Sequence, residues 1–74
     1  MSKVTVYSKP KCPQCDLTKN FLKQHNIEYT SIDISEDEEA LAKIRSLGIA
    51  SVPVVETETE TWTGFNPLKL RTLI

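Results

Sequence analysis

Seventy-four residues allow one domain, expected to span residues 1–74, with one modest core. With 39% hydrophobic and 26% charged residues the composition is that of a folded chain, and a net charge of −1 gives no general pull toward nucleic acid or an anionic membrane. Apolar runs are only a few residues long, so no membrane span is expected, and Met1-Ser2-Lys3-Val4 lacks the apolar stretch of a secretory leader.

Residues 3–7 alternate and are β-branched, which predicts a first strand. Ser8-Lys9-Pro10-Lys11 reads as a polar loop broken at Pro10. From Pro13 to about His25 the period turns helical: Leu17 and Phe21, and Thr18 and Leu22, are four apart, while Lys19, Lys23 and Gln24 take the wet side. His25-Asn26 ends that helix, with His25 expected to be exposed. Ile27 to Ile34 reads as a second strand, with Ile32 and Ile34 on one face and Asp33 on the other. Ser35-Glu36-Asp37-Glu38 has the form of a capping box with Ser35 at the N-cap. Acids in the first turn and Lys43 and Arg45 near the other end suit the helix dipole. Ala40, Leu41, Ile44 and Leu47 form the apolar face, and Gly48 is a good C′ residue. Val52-Pro53-Val54-Val55 follows as a strand, and Glu56 to Thr63 as a hairpin return. Asn66-Pro67 fits an N-cap and a first-turn proline, opening a last helix to Ile74. The order is β-α-β-α-β-β-α. The interposed helices imply a parallel strand pair, the hairpin adds an antiparallel one, and helices must cover both faces of the sheet. An α/β chain with a mixed four-stranded sheet and three helices is expected.

Both cysteines lie in Cys12-Pro13-Gln14-Cys15, between the first strand and the first helix. The loop they would close is too small to constrain the unfolded chain much, so the pair makes more sense as chemistry than as a staple. A reducing compartment, hence the cytoplasm, is the default. With Cys12 at the N-cap and Pro13 at N1, the Cys12 sulfur faces the unpaired N–H groups of the first turn and the positive end of the helix dipole. Such placements lower a cysteine pKa from about 8.5 to roughly 3.5–7.5. Lys9 and Lys11 add positive potential, screened by solvent. Cys15 lies one turn inward and stays a thiol until needed. The Cys12 thiolate then attacks a partner disulfide, a mixed disulfide forms, and Cys15 resolves it into a Cys12–Cys15 bridge. Pro13 and Gln14 tune how readily that bridge is reduced. Zinc needs about four N/S ligands, and beyond the pair the chain offers His25 and carboxylates; no metal and no bound cofactor are expected.

Two further stretches bear on the site. Given the Cys-x-x-Cys upstream, Ser51-Val52-Pro53 is read as carrying a cis Val52-Pro53 bond rather than an ordinary edge-strand proline. It would expose the Val52 backbone beside Cys12 for an extended peptide. In Trp62-Thr63-Gly64-Phe65-Asn66-Pro67, Trp62 is expected in the core and Gly64 at a turn.

Cys12-Pro13-Gln14-Cys15, Ser51-Val52-Pro53 and Trp62-Thr63-Gly64-Phe65-Asn66-Pro67 together resemble the NrdH-redoxins, small glutaredoxin-like proteins of the thioredoxin superfamily, over essentially the whole chain. The last segment is the diagnostic one. The resemblance implies a thioredoxin-like fold, electron supply to the large subunit of class Ib ribonucleotide reductase, and reduction by thioredoxin reductase; a monomer with no nucleic-acid or membrane partner is expected. By position, Cys12 would be the attacking cysteine, Cys15 the resolving one and Pro53 the cis proline. Trp62, Thr63, Gly64 and Phe65 would belong to the segment that replaces the glutathione-binding loop and bonds to the second-helix region. Pro13 departs from the pattern: dithiol glutaredoxins (Cys-Pro-Tyr-Cys) carry proline there, NrdH-redoxins an aliphatic residue. With Lys9 and the Val52-Pro53 backbone, it supports the alternative, a glutathione-dependent dithiol glutaredoxin.

Overall fold

The computed structural model describes residues 4–49 and 51–73. Alternation builds the central strand β1, Thr5–Ser8, whose Val6 and Tyr7 point to opposite faces and are both buried. Helix α1 spans Pro13–Gln24, β2 Thr30–Asp33, α2 Glu38–Ser46, β3 Val54–Glu56, β4 Thr61–Thr63 and α3 Pro67–Arg71. The strands form one sheet in the order β2-β1-β3-β4. β1 and β2 are parallel, with Tyr7 opposite Ile32, and β3 and β4 are antiparallel, with Val55 opposite Trp62. This is the expected thioredoxin-like fold. The expectation had assigned antiparallel pairing to the hairpin alone; β3 is also antiparallel to β1, with Val6 opposite Val55.

The two faces carry two cores. On one, Val4, Val6, Val55 and Trp62 meet Leu22 of α1 and Leu70 of α3. On the other, Tyr7 and Val54 meet Ala40 and Ile44 of α2, with Ile32, Ile34, Leu41, Ile49 and Val52 packed around them. The helix ends follow from local chemistry. At the end of α1 the Ile27 N–H donates to Leu22 O (2.9 Å) and Asn26 adopts φ 56°. At the end of α2 the Ile49 N–H donates to Ile44 O (3.1 Å) and the Gly48 N–H to Arg45 O (3.0 Å), with Gly48 at φ 77°. Both are Schellman closures around a left-handed C′ residue. His25 is exposed at the α1 C-cap, its ring 4.4 Å from that of Phe21.

Several boundaries differ from the sequence expectation. Ser35 is not the cap of α2. The Asp33 carboxylate accepts from the Ser35 hydroxyl (2.6 Å) and N–H (2.8 Å), which holds Ser35 in a turn. The N-cap is Asp37, whose carboxylate accepts from the Ala40 N–H at 3.0 Å. Leu17 and Leu47, expected to pack, are 50% and 54% exposed, because each lies just outside the arc its helix turns to the sheet. Ile27 and Ile34 flank β2 rather than belonging to it, and Val52-Pro53 precedes β3. The last helix ends at Arg71; the expected ends at Lys3 and Ile74 lie outside the described residues.

Candidate functional site

The strand register gathers one end of the sheet. Tyr7 is opposite Val54, and Val54 is opposite Thr63. The loop leaving β1, the turn entering β3 and the segment leaving β4 therefore emerge together. The first carries Lys9 and Cys12, the second Val52 and Pro53, the third Gly64 and Phe65.

Cys12 is the N-cap of α1, with extended backbone (φ −113°, ψ 101°), and Pro13 occupies the first helical position. The Cys15 N–H donates to Cys12 Sγ at 3.2 Å. The sulfur thus takes the place a serine or aspartate oxygen takes in an ordinary cap. A cap donor and the helix dipole both favour negative charge on that atom once the pair is reduced. Cys12 and Cys15 are joined by a disulfide, their Cα atoms 5.2 Å apart. Cys12 is 7% exposed and Cys15 1%, so an incoming disulfide can reach only the first without moving the helix. Lys11, just before the cap, adopts φ 58°. That left-handed turn swings the loop into the helix, and it escaped sequence reasoning because lysine carries no signal for it. Thr18, one turn inward and fully buried, donates its hydroxyl to Gln14 O at 2.9 Å, a tie within the first turns of α1 that the i, i+4 pattern had shown only as packing.

The Val52-Pro53 bond is cis, as expected. Pro53 is buried, and its carbonyl accepts from the Gly64 N–H at 2.7 Å. Gly64 has φ 78°, a conformation glycine adopts freely. The next N–H, that of Phe65, donates to Gln14 Oε1 at 3.4 Å. Segment 62–67 is therefore seated on the proline turn and on the residue between the cysteines. Among the described residues no hydrogen bond joins it to α2, which corrects the second-helix attachment the resemblance implied. Trp62 is buried in the α1/α3 core, and its indole N–H has no hydrogen-bond partner among the described residues. Thr63 is exposed, Asn66 caps α3 by accepting from the Lys69 N–H (3.2 Å), and Lys69 reaches Glu60 at 2.9 Å.

Lys9 is exposed and lines a groove with Val52 and α2 residues. Tyr7 turns onto the α2 face; its hydroxyl is 3.4 Å from Glu56, which also holds Lys43 at 3.0 Å. The Glu56 carboxylate, and then Tyr7, raise the Lys43 pKa above the usual lysine range. The Ser35 hydroxyl and then its N–H lower that of Asp33. Among the described residues no three His, Cys, Asp or Glu side chains converge to hold a metal ion. No helix there is long and apolar enough to cross a membrane.

A cysteine pair at a helix N-cap, beside a cis-proline turn at one end of this mixed sheet, defines a thioredoxin-fold protein of thiol–disulfide exchange. The Glutaredoxin family model matches residues 4–62, and a glutaredoxin-like protein NrdH of Lactococcus lactis is 37% identical over 70 residues, 95% of this chain and 97% of its own. The chain belongs to the glutaredoxin family, among its NrdH-type members. The solved NrdH-redoxin of Escherichia coli, described as having a thioredoxin-like activity profile, superposes with a TM-score of 0.95 at 28% identity, over 97% of this chain and 95% of that one. A glutaredoxin of Archaeoglobus fulgidus superposes at 0.80 with 34% identity, over 99% and 86%.

Proposed function

We propose that this protein is a dithiol electron carrier that reduces a protein disulfide, that of the class Ib ribonucleotide reductase large subunit, and is itself reduced by thioredoxin reductase. The observation that carries this is the asymmetry of the pair: Cys12 at the cap, receiving the Cys15 N–H, and Cys15 sealed behind it. The Cys12 thiolate attacks one sulfur of the partner disulfide, and the other leaves as a thiolate that takes up a proton. Cys15 loses its proton, attacks Cys12 Sγ and releases the second partner sulfur. Two electrons pass to the partner, whose second sulfur also leaves as a thiolate and takes up a proton from solvent, and the Cys12–Cys15 bridge remains. Pro13 and Gln14 set the poise of the pair. The Val52-Pro53 backbone pairs with the extended partner segment. Trp62 to Phe65 shape the opposite wall, and the seat of Gly64 on Pro53 and of Phe65 on Gln14 supports a protein over a tripeptide as partner. The carrier works as a single-domain monomer in the cytoplasm.

Pro13 and Lys9 favour a second reading, reduction by glutathione. One experiment separates the two: NADPH consumption with thioredoxin reductase, against NADPH consumption with glutathione and glutathione reductase, each with a peptide disulfide as final acceptor. Turnover with the first system and little with the second is expected. Fast reduction by glutathione, with thioredoxin reductase inactive, would overturn the proposal.

A further inference from the structure

A groove of about 580 Å³ opens between α2 and the proline turn. Its apolar lining is Ile34, Leu41, Ile44, Ile49 and Val52, and its charged lining is Lys9 and Arg45, with no carboxylate among the described residues. Lys9 lies three residues before Cys12, and Val52 is the residue before the cis proline, so the groove starts at the edge of the dithiol site. The Arg45 side chain is exposed in the last turn of α2, where its charge suits the helix dipole, and its backbone carbonyl helps close the helix. A chain of net charge −1, with four successive acids at residues 36–39, nonetheless lines its apolar cleft beside the cysteines with two cations and, among the described residues, no acid.

Resting on the protein-disulfide role proposed for the pair, we infer that this groove seats the partner's cysteine-bearing segment through an apolar side chain on the isoleucine floor and a carboxylate between Lys9 and Arg45. Arg45 is then a specificity-determining residue. The floor supplies burial in proportion to area. The two cations reject a basic residue and draw an acidic one, an effect that falls with salt. A partner segment of apolar and acidic residues flanking its cysteine fits, and one with lysine in their place does not.

The test uses three short peptides, each with one internal disulfide: one flanked by leucine and glutamate, one by leucine and lysine, one by alanine and serine. The reduced protein is mixed with each, quenched with acid, and the peptide dithiol measured by chromatography. The ratio of acidic to basic rate constants is read within each protein, so a partial loss of folded protein cancels. Two ion pairs made by exposed cations predict a ratio of roughly fivefold at low salt, falling toward one at high salt. Arg45→Glu is expected to bring the ratio to one or below it, Arg45→Gln to an intermediate value. Arg71→Glu, the same charge change on α3, is expected to leave the ratio as in the native protein. A native ratio of one, or one unmoved by either Arg45 substitution, overturns the inference while reduction of the alanine–serine peptide leaves the carrier role standing. Failure to reduce any of the peptides overturns both. Glutathione disulfide is the last arm: if Arg45→Glu slows its reduction more than that of the acidic peptide, the groove serves a tripeptide and the inference fails.

Discussion

Substituting Gly64 by alanine tests how the site segment is held. The added Cβ would lie 3.6 Å from Gln14 Oε1, an ordinary van der Waals contact, so no steric cost arises. What remains is conformational: at φ 78° an L-residue is disfavoured by about 1–2 kcal/mol. Gly48 provides the control, with φ 77° and nothing within 4 Å of its would-be Cβ. Both substitutions are therefore expected to cost about 1–2 kcal/mol, which for a domain of this size lowers Tm by about 5–15 °C. Urea unfolding of the oxidised protein, at fixed pH and salt, measures each cost. The difference between the two should stay within about 0.5 kcal/mol, because the backbone strain is the same at both sites. A Gly64→Ala loss above about 3 kcal/mol beside a normal Gly48→Ala loss would mean that the segment lies closer to Gln14 than described. No loss at Gly64 would mean that its backbone is not left-handed, and the Gly64–Pro53 and Phe65–Gln14 seats would fall with it.

Other outcomes follow from the same geometry. Cys15→Ser should trap a mixed disulfide between Cys12 and a peptide disulfide, visible by mass spectrometry, whereas Cys12→Ser should trap none, since Cys15 is sealed; equal trapping by both would refute the division of roles, and trapping by Cys12→Ser alone would reverse it. In the reduced protein the Cys12 thiol should titrate below the free cysteine value of about 8.5, read by thiolate absorbance, because it receives the Cys15 N–H at the helix start. Leu22→Ala, fully buried where α1 meets the sheet, should cost about 2–5 kcal/mol in urea unfolding; a loss under 1 would contradict that core. The pH dependence has two signed limbs. Asp33, with its pKa lowered by Ser35, stabilises fully above the ordinary carboxylate value and loses that contribution as pH falls through the lowered one, so Asp33→Asn should flatten the acid limb. Lys43, with its pKa raised by Glu56, stabilises fully below the ordinary lysine value and loses that contribution as pH rises through the raised one, so Lys43→Met should flatten the alkaline limb. Midpoints of urea unfolding against pH check both.

The parts of this protein written in short range were legible in its residues. A proline at N1 behind Cys12, and another behind Asn66, mark helix starts because the caps are made within four residues. Gly48 and Asn26 mark helix ends for the same reason. Ser35 misled because two oxygens competed for one turn: Asp33 claimed the Ser35 hydroxyl and N–H, and the cap passed to Asp37. Leu17 and Leu47 misled because periodicity gives the arc of a helix face but not how much of it the sheet covers. The sequence by itself thus determined the order of elements, the dithiol at a helix start and the family to which its motifs belong. Only the tertiary structure decided that β3 runs against β1, that Gln14 meets Phe65 51 positions away, and that Lys9 and Arg45 border one groove. Each is a contact between segments far apart in the chain, settled by how two faces of a sheet are buried together and not by any local preference.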